Sequence, residues 1–341
     1  MVPPLIKYII KRICLLFIVI SLVITVTFIL SHVIPGDPAR LYAGPHATAK
    51  QIEMARKELG LDKPPLEQYI MYWIKLFKGD LGISIHTRRP VIEDLFDYFP
   101  ATIELTLFSM IITIIFGIIL GILSAIHKDK TIDHVCRLQS LMGVAMPLFW
   151  LGILFQLFFS HSLALFPTSG RVDSMIEILY PQKRITGLYL IDSLITGNIP
   201  FFINALHHII LPSITLSFAT LAVVSRMMRA SLIEVLNQEY ITTSKSLGLP
   251  ERIVIYKYAL KNALIPVITI IGLSFGYSLG GVFLIEVIFD WPGLGRYTTD
   301  AILTLDYPAI LGTTLLATIV YVIINLIVDI IYAYINPKIK Y

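Results

Sequence analysis

The sequence predicts an all-α, polytopic membrane protein, and two observations carry that prediction. Of its 341 residues, 56% are apolar and 15% are charged, whereas soluble domains average about 45–50% apolar and about 25% charged residues. Six uncharged runs of 17 to 24 residues also recur along the chain. Because about 20 apolar residues cross a bilayer as a helix, we expect six transmembrane helices.

The six runs are 13–31, 105–126, 138–160, 209–225, 262–285 and 308–328. The first follows a short basic terminus and is longer than the apolar core of a usual signal peptide. No A-x-A cleavage site follows it, so we interpret it as a retained span. The fourth run is marginal, because it has only 17 residues and carries Pro212 near its start.

The Lys and Arg residues between the runs predict the orientation. With the N-terminus inside, the inside segments hold 14 Lys and Arg in 72 residues, and the outside segments hold 13 in 143 residues. Basic residues are enriched in cytoplasmic loops. We therefore expect both termini in the cytoplasm, in a cell membrane that the chain crosses several times.

This topology divides the chain into three parts. Residues 1–36 contain the first transmembrane helix, residues 37–99 form an extracytoplasmic helical segment, and residues 100–341 hold the other five spans. In the extracytoplasmic segment, Thr48 and Gln51 match a capping box for a helix that ends near Gly60. A second helix starts at Pro64-Pro65, and one of its faces is apolar. That face indicates a small local core or, less simply, a ligand platform; it comprises Leu66, Tyr69, Ile70, Trp73 and Phe77.

Residues 239–262 form the longest polar interruption in the second half of the chain, and the topology places the loop that contains them, 229–262, inside. Gly248 divides this loop, because glycine tolerates the left-handed conformation that ends a helix. Pro250 and Glu251 then suit a first helical turn. The sequence predicts a helix, a tight turn and a second helix, with Tyr240, Leu247 and Leu249 as a projecting apolar group. An ordinary connector between two spans is the alternative.

Motifs for catalysis are missing from the sequence. It has no P-loop, no H-E-x-x-H motif and no cysteine pair with zinc spacing. No charged residue interrupts any of the six runs, which argues against a self-contained ion-coupled transporter, since ionisable groups within spans mark ion pathways. An intramembrane enzyme is a third possibility. Such an enzyme would need a paired acidic or metal-binding motif near the end of a span, and the sequence has none. We expect no catalytic residue, no metal site and no nucleic-acid partner.

A few uncharged polar residues within the runs are candidates for lining a pore. Gln156, Thr215 and Asn325 each lie in an apolar run, and the fifth run carries Ser274 and Ser278 among several glycines. Small residues allow helices to approach closely, so the fifth run is also a candidate for subunit contact. Hydrogen bonding between helices is an equally good interpretation of these polar groups.

Several strings in the chain resemble those of one transporter family. They are Glu239-Tyr240-Ile241 with Gly248-Leu249 and Asn262, Ile34-Pro35-Gly36-Asp37-Pro38, Gly79-Asp80-Leu81-Gly82, Pro100-Ala101-Thr102-Ile103-Glu104-Leu105, Trp291-Pro292-Gly293-Leu294-Gly295-Arg296, Asp306-Tyr307-Pro308 and Asn336-Pro337. In this order and spacing they resemble the oligopeptide/dipeptide/nickel permease subunits of ABC transporters. The loop resembles the EAA motif of that family, which often has Arg at position 242 and Ala at 243 and 244, where this chain has Thr242, Thr243 and Ser244.

This resemblance implies a non-catalytic permease subunit of an ATP-driven importer. The loop would couple to an ATP-binding subunit through Glu239, Tyr240, Thr243, Leu247, Gly248 and Leu249. The family also implies a second permease subunit, two ATP-binding subunits that carry the ATP and Mg, and an extracytoplasmic solute-binding protein. Oligopeptides or dipeptides are the substrates that it favours, while relatives handle nickel or oligosaccharides.

Overall fold

The computed structural model describes the backbone of residues 4–33, 37–44 and 46–335, and the side chains of residues 15, 17–30, 37–44 and 46–328. Across these residues the protein is helical, and its only extended pairing is an isolated antiparallel bridge between Ile83 and Pro90. The predicted all-α fold class is therefore confirmed for the part of the chain that the structure describes.

Fifteen α-helices and two π-helical segments follow one another within the described residues. They are α1 (Pro4–Val33), α2 (Pro38–Ala43), α3 (Ala49–Glu58), α4 (Pro65–Phe77), α5 (Val91–Ile126), α6 (Thr131–Ala145), α7 (Leu148–Phe155), a π segment (Gln156–Ser162), α8 (Ser174–Leu179), α9 (Tyr189–Thr196), α10 (Ile199–Leu236), α11 (Glu239–Ser246), α12 (Glu251–Ile253), a second π segment (Val254–Ala259), α13 (Leu260–Ile288), α14 (Leu294–Leu303) and α15 (Tyr307–Ile335).

Four helical stretches are long and apolar enough to cross a membrane: Val91–Ile126, Ile199–Leu236, Glu251–Ile288 and Tyr307–Val328. A bent pair of helices, Thr131–Ala145 and Leu148–Ser162, would make a fifth span if it crosses as one unit. The first helix contributes the shorter apolar stretch Phe17–Leu30. A polytopic membrane protein is confirmed, and the count of six spans stays a prediction.

The third predicted span is not a straight helix. Its two halves meet at an angle of 112°, and Met146 between them is extended, with φ −87° and ψ 131°. Pro147 explains the break, because a proline disfavours the helical conformation in the residue before it and cannot donate a backbone hydrogen bond. The uncharged run 138–160 therefore folds as two helices that share an apolar composition.

The second, fourth and fifth spans are longer than their uncharged runs. Helix α5 begins at Val91 and continues through Pro100 into the second span as one 36-residue helix. Helix α10 has 38 residues, and the stretch Glu251–Ile288 has the same length. Because a bilayer core needs only about 20 residues of helix, each of these helices extends beyond the apolar layer.

The chain packs as two compact units. The first comprises the described residues of Met1–Thr102 together with Pro292–Val322. Family strings that lie far apart in the sequence meet in this unit. Ser84 Oγ donates to Asp306 Oδ2 at 2.5 Å, and the Leu294 amide donates to Thr102 Oγ1 at 2.8 Å. Gly82, with φ +85°, lies so close to Pro308 that a Cβ there would be 3.3 Å from the proline Cβ.

Helices α3 and α4 in the first unit test two local predictions. The capping box at Thr48 and Gln51 is present in both directions, which confirms the predicted start of α3. The apolar stripe of α4 is only partly a core, however. Tyr69 hydrogen-bonds Thr25 at 2.7 Å and Trp73 packs near Phe17, whereas other members of the stripe are exposed: Leu66, Ile70 and Phe77.

The second unit comprises Ile103–Trp291 and the described residues of Ile323–Lys340. Helix α10 is its centre, and α6, α7, α9 and α13 pack against it. Glycines allow very close approach: a Cβ at Gly121 of α5 would lie 2.4 Å from Met228 Cβ, and one at Gly143 of α6 would lie 2.7 Å from Ala222 Cβ. The polar loop 229–262 belongs wholly to this unit.

Candidate coupling site

In the short helix α11 of the polar loop, the hydroxyl groups of Thr243, Ser244 and Ser246 form hydrogen bonds within the helix. Thr243 Oγ1 donates to the Glu239 carbonyl at 3.0 Å, and Ser244 Oγ donates to the Tyr240 carbonyl at 2.8 Å. Ser246 makes the same bond to Thr242 at 3.1 Å. Such bonds to the carbonyl four residues earlier hold Ser and Thr side chains close to the helix. These hydroxyl groups therefore do not extend from the surface of α11.

A tight turn at Gly248 follows α11. Gly248 has φ +75°, as the sequence predicts, and its amide donates to the Lys245 carbonyl at 3.0 Å. No neighbouring atom lies within 4 Å of the position that a Cβ would occupy. The requirement for glycine at this turn therefore comes from backbone conformation and not from lack of space.

Ile241 anchors α11 to the body of the second unit. Its side chain is fully buried in an apolar cluster that draws on α5, α10, α13 and the second π segment. The members of this cluster are Ile122, Ala125, Val224, Met228, Leu232, Ile241, Val254, Ala259, Ala263 and Val267. Burying an isoleucine side chain contributes roughly 1.5–3 kcal/mol. The short helix is thus fixed to the long helices that precede and follow it.

The predicted projecting group is only partly exposed. Leu247 is 75% exposed and Tyr240 is 40% exposed, and the Tyr240 hydroxyl also accepts a hydrogen bond from Asn262 Nδ2 at 2.8 Å. Leu249, in contrast, is partly buried against the apolar cluster around Ile241. The projecting group is therefore smaller than the sequence predicts, because Leu249 packs inward and helps to hold the turn.

Two exposed apolar side chains beyond the turn extend this surface, and the sequence analysis did not single them out. Ile253 is 40% exposed and Tyr256 is 55% exposed. They lie three residues apart in α12 and the second π segment, so they share one face of the helix. This three-residue spacing is the feature of the sequence that could have predicted the shared face. Glu239 is also exposed, and its carboxylate has no ion-pair partner among the residues that the structure describes.

The second helix of the loop is continuous with the fifth span. From Glu251 to Ile288 the chain forms one uninterrupted helical stretch that contains the π segment Val254–Ala259. Ser231 Oγ of α10 donates to the Ala263 carbonyl at 2.9 Å, which fastens α10 to this stretch directly beside the loop. The predicted helix, turn and helix are confirmed, but the second helix and the span form one element.

A buried ion pair lies near the end of α10, where the loop 229–262 begins. Arg229 Nε and Nη2 donate to the two carboxylate oxygens of Asp133, each at 2.7 Å. Ser124 Oγ and the Asp129 amide complete the set of donors to this carboxylate, at 2.5 and 3.0 Å. Asp133 is fully buried, and the Arg229 side chain is 23% exposed. This fourfold coordination joins the connection between α5 and α6 to α10.

A second buried ion pair involves Glu104, in the first half of α5. Arg171 Nη2 donates to Glu104 Oε2 and to the Gly187 carbonyl, and its guanidinium carbon lies 3.6 Å from the ring centre of Tyr189. The other Glu104 oxygen accepts from the Leu190 amide at 2.8 Å. Glu104 is thus paired with a buried arginine and is also held by the amide of Leu190.

Asp192 fixes the segment between the bent helix pair and α10, to which Arg171 also belongs. Although burial alone would raise its pKa, the Thr186 hydroxyl and the amides of Ile185, Thr186 and Gly187 all donate to its carboxylate, and together they lower the pKa. The bonds range from 2.6 to 3.0 Å. The segment between the bent pair and α10, which carries few sequence signals, is therefore fixed by buried carboxylates.

The structure places the side chains of three of the five pore-lining candidates in hydrogen bonds inside the second unit, and a fourth, Ser274, is buried there. Gln156 Nε2 donates to the Thr168 and Ile288 carbonyls at 2.7 and 3.2 Å. Thr215 and Ser278 are buried and donate to the carbonyls of Leu211 and Ser274. These bonds favour helix packing as the role of these groups. Asn325 is half-buried on α15, and a pore role for any of the five stays a prediction.

The fifth span has both packed and open small residues. A Cβ at Gly272 would lie 2.3 Å from Val328 Cγ1, so α13 and α15 touch there, whereas a Cβ at Gly280 would have no atom within 4 Å. Exposed apolar side chains flank Gly280 along one face of α13: Leu273, Tyr277, Leu284 and Val287. Within the described residues, no group of three or more His, Cys, Asp or Glu side chains is placed to hold a metal ion.

Comparison with known proteins decides the family. Residues 117–341 match the model for the binding-protein-dependent transport system inner membrane component, and residues 5–106 match the model for the N-terminal part of such membrane components. The chain belongs to this family of transport permeases. The first match contains the entire loop 229–262, so this permease carries its candidate coupling site within the family's common core.

Full-length relatives of this permease act in peptide transport systems by name. The chain is 44% identical over 325 residues to a probable D,D-dipeptide transport system permease protein of Escherichia coli, covering 95% of this chain and 94% of the relative. It is 42% identical over 334 residues to a dipeptide transport system permease protein of Alkalihalophilus pseudofirmus, with 98% and 99% coverage. A glutathione transport system permease protein of Escherichia coli is 38% identical over 335 residues, with the same coverage.

Proposed function

We propose that this chain is one permease subunit of a peptide importer and that the loop 229–262 receives the mechanical signal from an ATP-binding subunit. The observation that carries the proposal is the construction of α11. Helix α11 and the turn after it present Tyr240 and Leu247 outward, while Ile241 of α11 is fixed in the core between α10 and α13. An exposed apolar group beside a rigidly held helix is suited to a groove on a partner.

The long helices supply the path by which a displacement at the loop would reach the membrane. Force applied to Leu247 is carried by Ile241 into the apolar cluster, which includes Met228 of α10 and Ala263 of α13. Close-packed protein interiors transmit strain and do not deform continuously. A small movement of α11 would therefore move α10 and α13 together. ATP and Mg would be bound entirely by the partner subunits.

The proposed substrates are short peptides. Support comes from the relatives with 38 to 44% identity over nearly the whole chain, whose names refer to dipeptides, D,D-dipeptides and glutathione. These molecules share a peptide bond and free carboxylate groups. Uptake of one labelled dipeptide by the reconstituted complex, with unlabelled glutathione and D,D-dipeptide as competitors, would rank the three.

The remaining partners follow from the same proposal. The face of α13 around Gly280 is open, and Tyr277 is 82% exposed there, which suits close contact with the second permease subunit. A solute-binding protein would deliver the substrate to the side that carries residues 37–99. Both termini and the loop 229–262 would then lie in the cytoplasm, as the distribution of Lys and Arg indicates.

Site-specific photocrosslinking tests the coupling site with a matched control. A photoactivatable phenylalanine analogue is introduced at Leu247, which is 75% exposed, or at Leu303, which is 76% exposed in α14. We expect the probe at Leu247 to crosslink to an ATP-binding subunit and the probe at Leu303 to give no such product. An ATP-binding subunit crosslinked from Leu303 but not from Leu247 would refute both the coupling site and the orientation.

A further inference from the structure

A small open cavity lies on the second unit between the start of α6 and the end of the apolar part of α10. Its volume is about 370 Å³, and its lining combines basic with apolar side chains: His134, Arg137, Leu138, Leu141 and Arg226. The long aliphatic stems and charged heads of the two arginines make this lining amphipathic. We propose that the cavity binds the headgroup of an anionic phospholipid.

The two arginines mark the boundary of the apolar layer. Arg137 is the residue immediately before the uncharged run 138–160, and Arg226 is the residue immediately after the uncharged run 209–225. The fold brings these two boundary residues to one cavity. A lipid phosphate occupies this depth of a bilayer, between the hydrocarbon core and water. Both arginines lie on the side to which the basic loops belong.

The charges of the cavity are available to a ligand. Within the described part of the chain, neither Arg137 nor Arg226 has an ion-pair partner, whereas Arg229, one turn further along α10, is fully engaged with Asp133. Asp133 directs its carboxylate to Arg229, Ser124 and the Asp129 amide, so it leaves the two cavity arginines uncompensated. Basic pockets between transmembrane helices on the cytoplasmic side select acidic headgroups.

The apolar part of the lining is the reason to expect a lipid, and not a free phosphate, as the ligand of the cavity. Leu141 lies four residues after Arg137 and therefore one turn further along the same face of α6, within the uncharged run. Leu138 is 58% exposed and Leu141 is 63% exposed, and they continue into an exposed apolar surface that includes Val135 and Val144. An acyl chain that descends from a phosphate at Arg137 would lie along this surface.

The test uses the complete transporter complex in nanodiscs that contain equal amounts of phosphatidylglycerol and phosphatidylcholine with identical acyl chains. A photoactivatable phosphatidylglycerol labels the wild-type complex, and the labelled peptides are mapped. We expect label in the segments around 134–141 and 226. If the label is absent there, or if a photoprobe at Leu141 crosslinks only to a protein subunit, the cavity is a protein contact and the proposal is wrong.

Variants with a matched control measure the charge contribution. Each basic residue near an acidic headgroup contributes about fivefold in affinity, so the double variant Arg137→Gln with Arg226→Gln should bind phosphatidylglycerol about twenty-five-fold more weakly. Lys130→Gln removes one charge from the connection between α5 and α6, outside the cavity, and should leave labelling unchanged. The variant with lysine at both arginine positions keeps the charge and should retain most of the labelling. Equal labelling of the glutamine and lysine double variants would overturn the proposal.

Discussion

Two buried arginine–carboxylate pairs in the second unit use the same chemistry in different surroundings. In the pair Glu104–Arg171 both side chains are almost fully buried, at 6% and 7% exposure, and the guanidinium also stacks on Tyr189. In the pair Asp133–Arg229 only the carboxylate is fully buried, and the arginine remains 23% exposed. The first pair fixes the segment between the bent helix pair and α10. The second pair fixes the C-terminal part of α10, where the coupling loop 229–262 begins.

The difference between the pairs lies in what remains when one partner is removed. A buried charge without a partner is destabilising by about 3–5 kcal/mol, and arginine cannot escape this cost by losing its proton. Loss of Glu104 would strand a cation away from water. Loss of Asp133 would leave an arginine that already reaches solvent. The two pairs should therefore respond differently to equivalent substitutions.

The largest effect is expected for Glu104→Gln. The variant keeps the size of the side chain but leaves Arg171 buried without a carboxylate, so we expect a loss of about 3–5 kcal/mol in stability. A lower melting temperature of the purified complex and faster tryptic cleavage at the exposed Lys183 and Arg184 would report it. Glu177→Gln, an exposed change in the same loop, should have little effect on either measurement.

The double variant Glu104→Gln with Arg171→Met separates charge from packing in this prediction. Replacing both members of a buried pair by uncharged side chains of similar size is often neutral, so the double variant should recover most of the melting temperature. A double variant no more stable than Glu104→Gln would mean that the geometry of the loop, and not the stranded charge, accounts for the loss.

A smaller and asymmetric effect is expected at the pair near the coupling loop. Arg229→Gln strands the fully buried Asp133, whereas Asp133→Asn leaves an arginine that can be hydrated. At neutral pH we expect Arg229→Gln to cost about 3 kcal/mol, the lower end of the range for a stranded buried charge, and Asp133→Asn to cost about 1–3 kcal/mol. Melting temperatures of the two purified variants check the order. A larger loss for Asp133→Asn would show that partial exposure of Arg229 does not help it.

The sequence predicts well those features that depend on neighbouring residues. The capping box at Thr48 and Gln51 and the positive φ of Gly248 each follow from a few adjacent residues. Apolar composition also predicts the spanning segments, but it cannot detect the break before Pro147, because both halves of that run are equally apolar. The local rule for the residue before a proline was the signal that composition hides.

The ion pairs could not be predicted from the sequence, because their partners are distant in the chain. Asp133 and Arg229 are 96 residues apart, and Glu104 and Arg171 are 67 apart. Each arginine is one of several basic residues in polar segments, and no periodicity selects its partner. Leu249 shows the same limit at close range, since the sequence places it near the turn without indicating that it packs inward against the core around Ile241.

The smallest effect on stability, and the most specific one for coupling, is expected at Gly248. A left-handed backbone costs a residue with a Cβ roughly 1–2 kcal/mol, while asparagine tolerates that conformation better than most residues. Since no atom lies within 4 Å of a Cβ at this position, the substitutions test backbone strain without a steric clash. Gly248→Val should therefore shift the turn that separates α11 from Glu251–Ile288, and Gly248→Asn should preserve it.

The measurement is substrate-stimulated ATP hydrolysis by the assembled complex, with assembly verified by purification of all subunits. We expect Gly248→Val to lower the stimulated rate several-fold and Gly248→Asn to remain near the wild-type rate, because only the first moves Leu247 relative to the core anchored by Ile241. If asparagine is as harmful as valine, then bulk at this position interferes with a partner surface. If neither variant alters the rate, the loop is a connector, and the rigid attachment of α11 to α10 and α13 serves stability alone.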